Sequence, residues 1–234
     1  MTGLEELLTR DRRTDSTALR DEANDHQYDY RRFCTTVWKV GNLLHHFGVR
    51  SGTPVVIAGD RQPEPVLSVL ATAMLGGVVR FGSEATTEAK VIVAPTPDLE
   101  PNCPPGTHRI GYGERPDDPG DTFFEQDVWR ENPTEPPATV DPDAPVLQAG
   151  ETIYTHRALL NSAQSVVDRQ KLTADSTVAV RAPLERPETI VAGIIAPLVA
   201  GATILLPDDG VDDCLIVVEN GSDSQRRVID AVEL

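Results

Sequence analysis

Lysine is nearly missing from this chain: of its 21 basic residues only Lys39, Lys90 and Lys171 are lysines, and the rest are arginines. These stand against 37 acidic residues, for a net charge of −16. A polyanion is repelled across most of such a surface, so nucleic acid is excluded as a partner. Cysteine is scarce too. Cys34, Cys103 and Cys214 are far apart, odd in number and not spaced as metal ligands, which excludes a disulfide framework or a zinc site and leaves them as small space-filling residues. Long apolar runs are also lacking. No window reaches the roughly eighteen apolar residues of a membrane span, and Met-Thr-Gly-Leu-Glu-Glu lacks the basic-then-apolar pattern of a signal peptide. The reading is a soluble, cytoplasmic protein without membrane contact.

What is present supports a folded core. The chain has 234 residues of which 39% are hydrophobic, enough for one large domain or two small ones. An acid-rich, lysine-poor surface resembles those of halophilic proteins, whose self-repulsion is tolerable when molar salt shortens the Debye length to about 3 Å. The expectation is a fold that needs molar salt for stability.

Periodicity divides the chain. Residues 1–15 read as a short helix and charged linker, with Leu4, Leu7 and Leu8 as an apolar patch able to dock on the body. Residues 17–22 and 27–30 flank the turn-forming Ala23-Asn24-Asp25-His26 and predict a β-hairpin. Phe33, Val37, Val40, Leu44 and Phe47 then fall on one helical face, with Gly48 as the C-terminal cap. His45 and His46 are adjacent near that end and point in different directions, which argues against a shared metal. A strand at 54–58, a helix at 63–75 that is apolar almost all round, Gly76-Gly77 and a strand at 78–81 make a crossover that requires parallel strands. A further strand is expected at 91–94.

Between Pro95 and Pro145 lie twelve of the nineteen prolines, and the reading there is an acidic, mostly irregular crossing with a helical turn at 123–130. Beyond it, Ala144–Leu160 reads as strand, turn, helix. Thr155 caps a helix with Leu159, Leu160, Ala163, Val166 and Val167 inside and Arg157, Asn161, Gln164 and Arg169 outside. A strand at 177–181, an apolar helix at 187–200 bent or ended near Pro197, a strand at 201–206, an acidic turn at 207–213 and a strand at 214–218 follow. The tail 226–234 fits a strand or a short helix. The expected division is a first α/β subdomain at 1–94, the Pro-rich crossing at 95–143 and a second α/β subdomain at 144–234. The fold class is α/β, with mixed, largely parallel sheets and helices on both faces.

Two blocks carry a family likeness. The first contains Ala18-Leu-Arg-Asp-Glu, Tyr28-Asp-Tyr-Arg-Arg-Phe, Phe47-Gly-Val-Arg-Ser-Gly-Thr-Pro-Val-Val-Ile, Pro63-Glu-Pro-Val-Leu and Met74-Leu-Gly-Gly-Val-Val. The second starts at Tyr154-Thr-His-Arg-Ala-Leu-Leu and ends at Ala196-Pro-Leu-Val-Ala-Gly-Ala-Thr-Ile-Leu-Leu-Pro. In this order they resemble the N-terminal domain of the adenylate-forming enzymes, the acyl-CoA synthetase and AMP-binding superfamily. The resemblance implies a Ser/Thr/Gly-rich loop ending in Pro-Lys-Gly directly before Thr155-His156, where it would wrap ATP phosphates. Here only Ala149-Gly150-Glu151-Thr152-Ile153 separates Gln148 from Tyr154, with one glycine, no lysine and an added carboxylate. The family's adenine and ribose contacts and its small C-terminal domain have no counterpart in the sequence, so the chain reads as a truncated, degenerate relative.

By that resemblance Thr155 and His156 are candidate ligand-binding residues, beside the plainer reading of a helix cap and its neighbour. Asp60 and Arg61 are candidates because they follow a strand's carboxyl end, where α/β proteins take ligands, beside the plainer reading of a solvated loop. No catalytic residue and no metal ligand is assigned. Ser162 and Ser165 have no paired His or Asp at a triad's spacing, and Gly111-Tyr-Gly113 lacks the third glycine of a dinucleotide fingerprint. Three readings follow: a non-catalytic binding or regulatory partner, with a protein partner or a second copy and no cofactor; one component of a split acyl-activating enzyme, which alone would involve ATP or AMP and CoA; or a small-molecule binder reusing the acyl pocket.

Overall fold

The computed structural model describes residues 3–82, 88–99, 103–137, 139–208, 216–220 and 223–229. A 3₁₀ helix, Leu4–Leu8, precedes a hairpin of β1 (Thr17–Asp21) and β2 (His26–Asp29), which leads into α1 (Tyr30–His46). Then come β3 (Pro54–Ile57), α2 (Pro63–Met74), β4 (Val78–Phe81), β5 (Val91–Pro95), β6 (His108–Tyr112), β7 (Thr122–Phe123) and α3 (Phe124–Arg130). The second half holds β8 (Pro145–Ala149), β9 (Thr152–Thr155), α4 (His156–Gln170) and β10 (Ser176–Val180). It continues through α5 (Pro187–Thr189), a π-helical stretch Ile190–Ile195, α6 (Ala196–Ala200), β11 (Thr203–Leu206), β12 (Ile216–Asn220) and β13 (Asp223–Ile229). The mixed, largely parallel sheets with helices make this an α/β fold. The tail segment expected as strand or helix enters β13; Cys214 and residues 230–234 lie outside the described residues.

The chain folds as two compact units, one of Met1–Cys34, Asp60–Pro63 and His156–Leu234, the other of Thr35–Gly59 and Glu64–Thr155. The sequence expectation of three consecutive segments divides the chain differently. Two pairings explain why the units are discontinuous: β1 joins the sheet of the C-terminal strands, and the Pro-rich crossing supplies strands to the sheet of the second unit.

In the first unit the strand order is β13-β12-β10-β11-β1-β2. The parallel core is β10, β11 and β1, with Leu19 beside Ile204 and Val178 on the other side of it. The N-terminal leucines dock as expected: Leu4, Leu7 and Leu8 are all buried. Burying a leucine stabilises by about 1.5–3 kcal/mol, so three of them hold even a short 3₁₀ helix in place. Polar bonds fix the rest of the segment. Arg12 donates to the carbonyls of Leu198 and Val199 near the end of α6, and the Tyr30 hydroxyl donates to the carbonyl of Ala202 at 2.7 Å. Burial pushes that phenol's pKa far above its ordinary range.

In the second unit the order is β7-β6-β5-β3-β4-β8-β9, parallel throughout except for β8 against β9. The helix α2 is buried all round, as its unbroken apolar composition demands: Val66, Leu67, Val69, Leu70, Ala71, Ala73 and Met74 are all in the core. At the end of α1, Gly48 adopts φ +86° and the Val49 N–H reaches back to the Leu44 carbonyl at 3.0 Å, a Schellman closure only glycine enters cheaply.

The crossing from Pro95 to Pro145 holds more strand than the sequence reading gave it. Most of it is irregular, as expected, but it also carries two strands the reading missed: β6 pairs with β5 along its whole length and β7 pairs with β6, while α3 occupies the expected helical turn. The strand β6 escaped notice because Ile110 and Tyr112 are its only large buried side chains and the intervening position is a glycine. That glycine has a packing cause, since a Cβ on Gly111 would collide with Thr96 Oγ1 and press on Leu99 and Pro116. Arg109, on the same strand, clamps the loop that follows through Asp118 at 2.8 Å and Asp121 at 2.5 Å.

Candidate functional site

The junction before Tyr154-Thr155-His156 was read as strand, turn, helix; a second strand lies between turn and helix. β8 runs parallel beside β4, with Val79 against Leu147 and Arg80 against Gln148. Only Gly150 and Glu151 then separate it from β9, which returns antiparallel with Ala149 against Thr152, Gln148 against Ile153 and Leu147 against Tyr154. Gly150 supplies the positive φ, +59°, that so tight a turn requires. The Gln148 side chain donates to the Gly150 carbonyl at 3.2 Å. Glu151, Thr152 and Ile153 are exposed, Ile153 to 56%.

Thr155 ends β9 and immediately precedes α4, the position of a cap. The helix buries Leu159, Leu160, Ala163 and Val166 and leaves Arg157, Asn161, Gln164 and Arg169 exposed, as the periodicity requires; Val167 is half-buried. His156 is fully buried, and its Nδ1 accepts the backbone N–H of Leu4 at 3.3 Å. An amide can only donate, so Nδ1 carries no proton, and the ring satisfies one of the orphan donors that open the N-terminal 3₁₀ helix. A neighbour in space 152 residues away in sequence explains what the motif alone left open.

Asp60 and Arg61 are half-buried. Arg61 Nη1 donates to the carbonyl of Val180 at 3.2 Å, the last residue of β10. Beside it in sequence, Gln62 accepts from the Asn24 side-chain amide at 3.3 Å, and the same amide donates to Asp21 Oδ2 at 2.8 Å. Asp21 is 2% exposed at the carboxyl end of β1, and its other oxygen accepts the Ala23 N–H at 3.2 Å. A chain of polar groups, Asp21, Asn24 and Gln62, together with Arg61, therefore marks the carboxyl ends of β1 and β10, the edge where parallel sheets take ligands. Sequence reasoning found Arg61 and missed the other three. Their only local signal was Asp-x-x-Asn across a hairpin turn. The candidates serve different parts of the unit: Arg61 is tied to β10, and His156 to the N-terminal helix.

Elsewhere the titratable groups have structural partners. His46 Nδ1 lies 3.0 Å from Glu131 Oε1, while burial and then Arg50 lower the pKa of His45. His108 stacks flat on Phe47 with centroids 4.3 Å apart, and burial followed by Lys90 lowers its pKa. Cys34 and Cys103 are not in a disulfide, and burial raises Cys34 to about 11. Among the described residues no three His, Cys, Asp or Glu are grouped to hold a metal, and no helix is long and apolar enough to cross a membrane.

Against known proteins, residues 9–92 match the model of the AMP-binding enzyme family. No curated protein matches the sequence significantly. Among solved structures, an anthranilate CoA ligase in complex with anthranoyl-AMP superposes with a TM-score of 0.76 at 20% identity, over 89% of this chain and 45% of the ligase. The nonribosomal peptide synthetase FmoA3 gives 0.73 at 18% identity, over 88% of this chain and 23% of that one. The N-terminal domain of FACL13 from Mycobacterium tuberculosis gives 0.73 at 14%, over 89% and 58%. The chain thus spans about half the length of the ligase it resembles and less than two thirds of each of the others. The AMP-binding enzyme model is thus matched across the first α/β elements of the chain, and the solved structures share its fold over nearly nine tenths of its length.

Proposed function

We propose that this chain is a non-catalytic AMP-binding-type protein that acts as a binding or regulatory partner, of another protein or of a second copy, without ATP or CoA. The observation that carries the reading is the two-residue turn between β8 and β9. A phosphate-wrapping loop needs successive amides turned toward the anion and a lysine to meet its charge. Between Gln148 and Thr155 the chain has no lysine and one glycine, and residues on both sides of the turn are paired across the hairpin. Glu151 at the turn adds repulsion, about 1 kcal/mol in water for like charges 4 Å apart and about 4 at an intermediate dielectric.

Calorimetric titration with Mg-ATP in molar KCl tests this directly. No binding heat is expected, and clean micromolar binding would overturn it. Pyrophosphate exchange over a panel of carboxylic acids is expected to be silent. Exchange appearing only when a second polypeptide is added supports instead one half of a split acyl-activating enzyme. The reading of a small-molecule binder is favoured by one observation, the Asp21, Asn24, Gln62 and Arg61 edge, and a carboxylic acid that raises Tm with wild-type protein but not with Arg61→Ala would select it. A cytoplasmic, salt-adapted setting belongs to the same proposal and rests on the excess of acidic over basic residues.

A further inference from the structure

The helix of the first unit that was expected to bend or end near Pro197 does not end there. It runs on to Ala200, and the disturbance lies upstream, in the six residues Ile190–Ile195 that adopt π spacing. The Ala196 N–H bonds the Val191 carbonyl, five residues back. The cause is local. In an α-helix the ring of Pro197 would strike the carbonyl four residues earlier, at Gly193, and widening the turn removes that clash. The whole stretch Ile190–Ile195 is buried against α4 and β10, so the wide turn is held in a packed core. Thr189, one residue before it, is fully buried, and its hydroxyl has no hydrogen-bond partner.

We infer that Pro187–Ala200 is a two-register element: Pro197 holds one residue in reserve within the π turn, and return to α spacing draws the preceding segment 181–189 along by one residue. The direction follows from which end is fixed. Gly201, at φ +73°, closes α6, and Arg12 donates to the Leu198 and Val199 carbonyls, so the carboxyl end is pinned and the slack appears upstream. Residues 181–186 leave the carboxyl end of β10, whose last carbonyl receives Arg61. One residue of slip is about 1.5 Å of travel and a rotation near 100°, which turns the Thr189 hydroxyl to a new direction and resets the loop beside that edge. Clash at Pro197 and a buried, unpartnered hydroxyl at Thr189 oppose one another, and their balance selects the register.

Deletion of Gly193 and the Pro197→Ala substitution test this together on the full chain. Removing Gly193 takes out the reserve residue while the clash persists, so Tm falls. Adding Pro197→Ala to the deletion is expected to recover at least half of that loss, because the shortened stretch then fits α spacing without hindrance. Equal losses with and without Pro197→Ala overturn the inference. Hydrogen exchange on Pro197→Ala alone gives the second readout: amides over 190–196 exchange about tenfold more slowly, and exchange over 181–186 changes with them. Slower exchange at 190–196 with 181–186 unchanged overturns the coupling to the loop.

Discussion

Two hairpins of this molecule, β1–β2 and β8–β9, differ in what their turns hold. Between β1 and β2 the turn is built on a buried carboxylate: Asp21 accepts from Ala23 and Asn24, and Asn24 passes the connection on to Gln62. Between β8 and β9 the turn is Gly150-Glu151, exposed, with the Gln148 side chain folded onto it. The first hairpin organises a sheet edge through side chains from distant segments. The second closes a strand pair by backbone geometry, at the place where the family resemblance would put a phosphate loop. Equal secondary structure therefore carries unequal consequence, and the difference lies in whether side chains or backbone define the turn.

The largest effect expected from breaking this contrast is Asp21→Ala. It removes the buried carboxylate that ties down the exposed Ala23 and Asn24 donors and should cost about 1–2 kcal/mol in urea melts in molar KCl. Asn24→Ala removes one of the two donors to Asp21 together with the link toward Gln62, leaves the Ala23 bond in place and should cost about 1 kcal/mol. The chemistry of the buried first unit is sharpened by Cys34: with its thiol at about 11, iodoacetamide at mildly alkaline pH should label it only on unfolding, whereas half-buried Cys103 reacts in the native state, as peptide mapping will show. In the second unit His108 should confer a modest pH dependence. Its folded pKa lies below the unfolded value of 6.5, so between the two the unfolded chain holds a proton the native chain does not, and stability falls as pH drops below about 6.5. His108→Phe should flatten that part of the Tm profile. The smallest effect is Glu151→Lys, which at an exposed turn should change stability by less than about 0.5 kcal/mol and restore no ATP binding.

The comparison also explains how legible the molecule was. The α1 face, the all-round burial of α2, the inside and outside of α4 and the first hairpin were readable because each is a local period of three to four or two residues imposed on apolar side chains. The strand β6 was not, since it presents a single strong apolar alternation interrupted by Gly111 and followed by prolines. Nor was the edge around Arg61, because its partners come from the turn at 23–25 and the end of β10, which a linear reading has no means of joining.

By itself the sequence determined the period of each well-patterned element, the parallel sense of the β3–α2–β4 crossover, the acidic character of the surface and the lack of a lysine before Thr155-His156. These are properties of residues and near neighbours. Only the tertiary structure decided that β1 pairs with β11, that His156 receives the Leu4 amide, and that Pro197 is absorbed by a wide turn instead of ending its helix. Each of those depends on which surfaces meet in the folded core, where backbone donors need partners and volume must be filled whatever the distance along the chain.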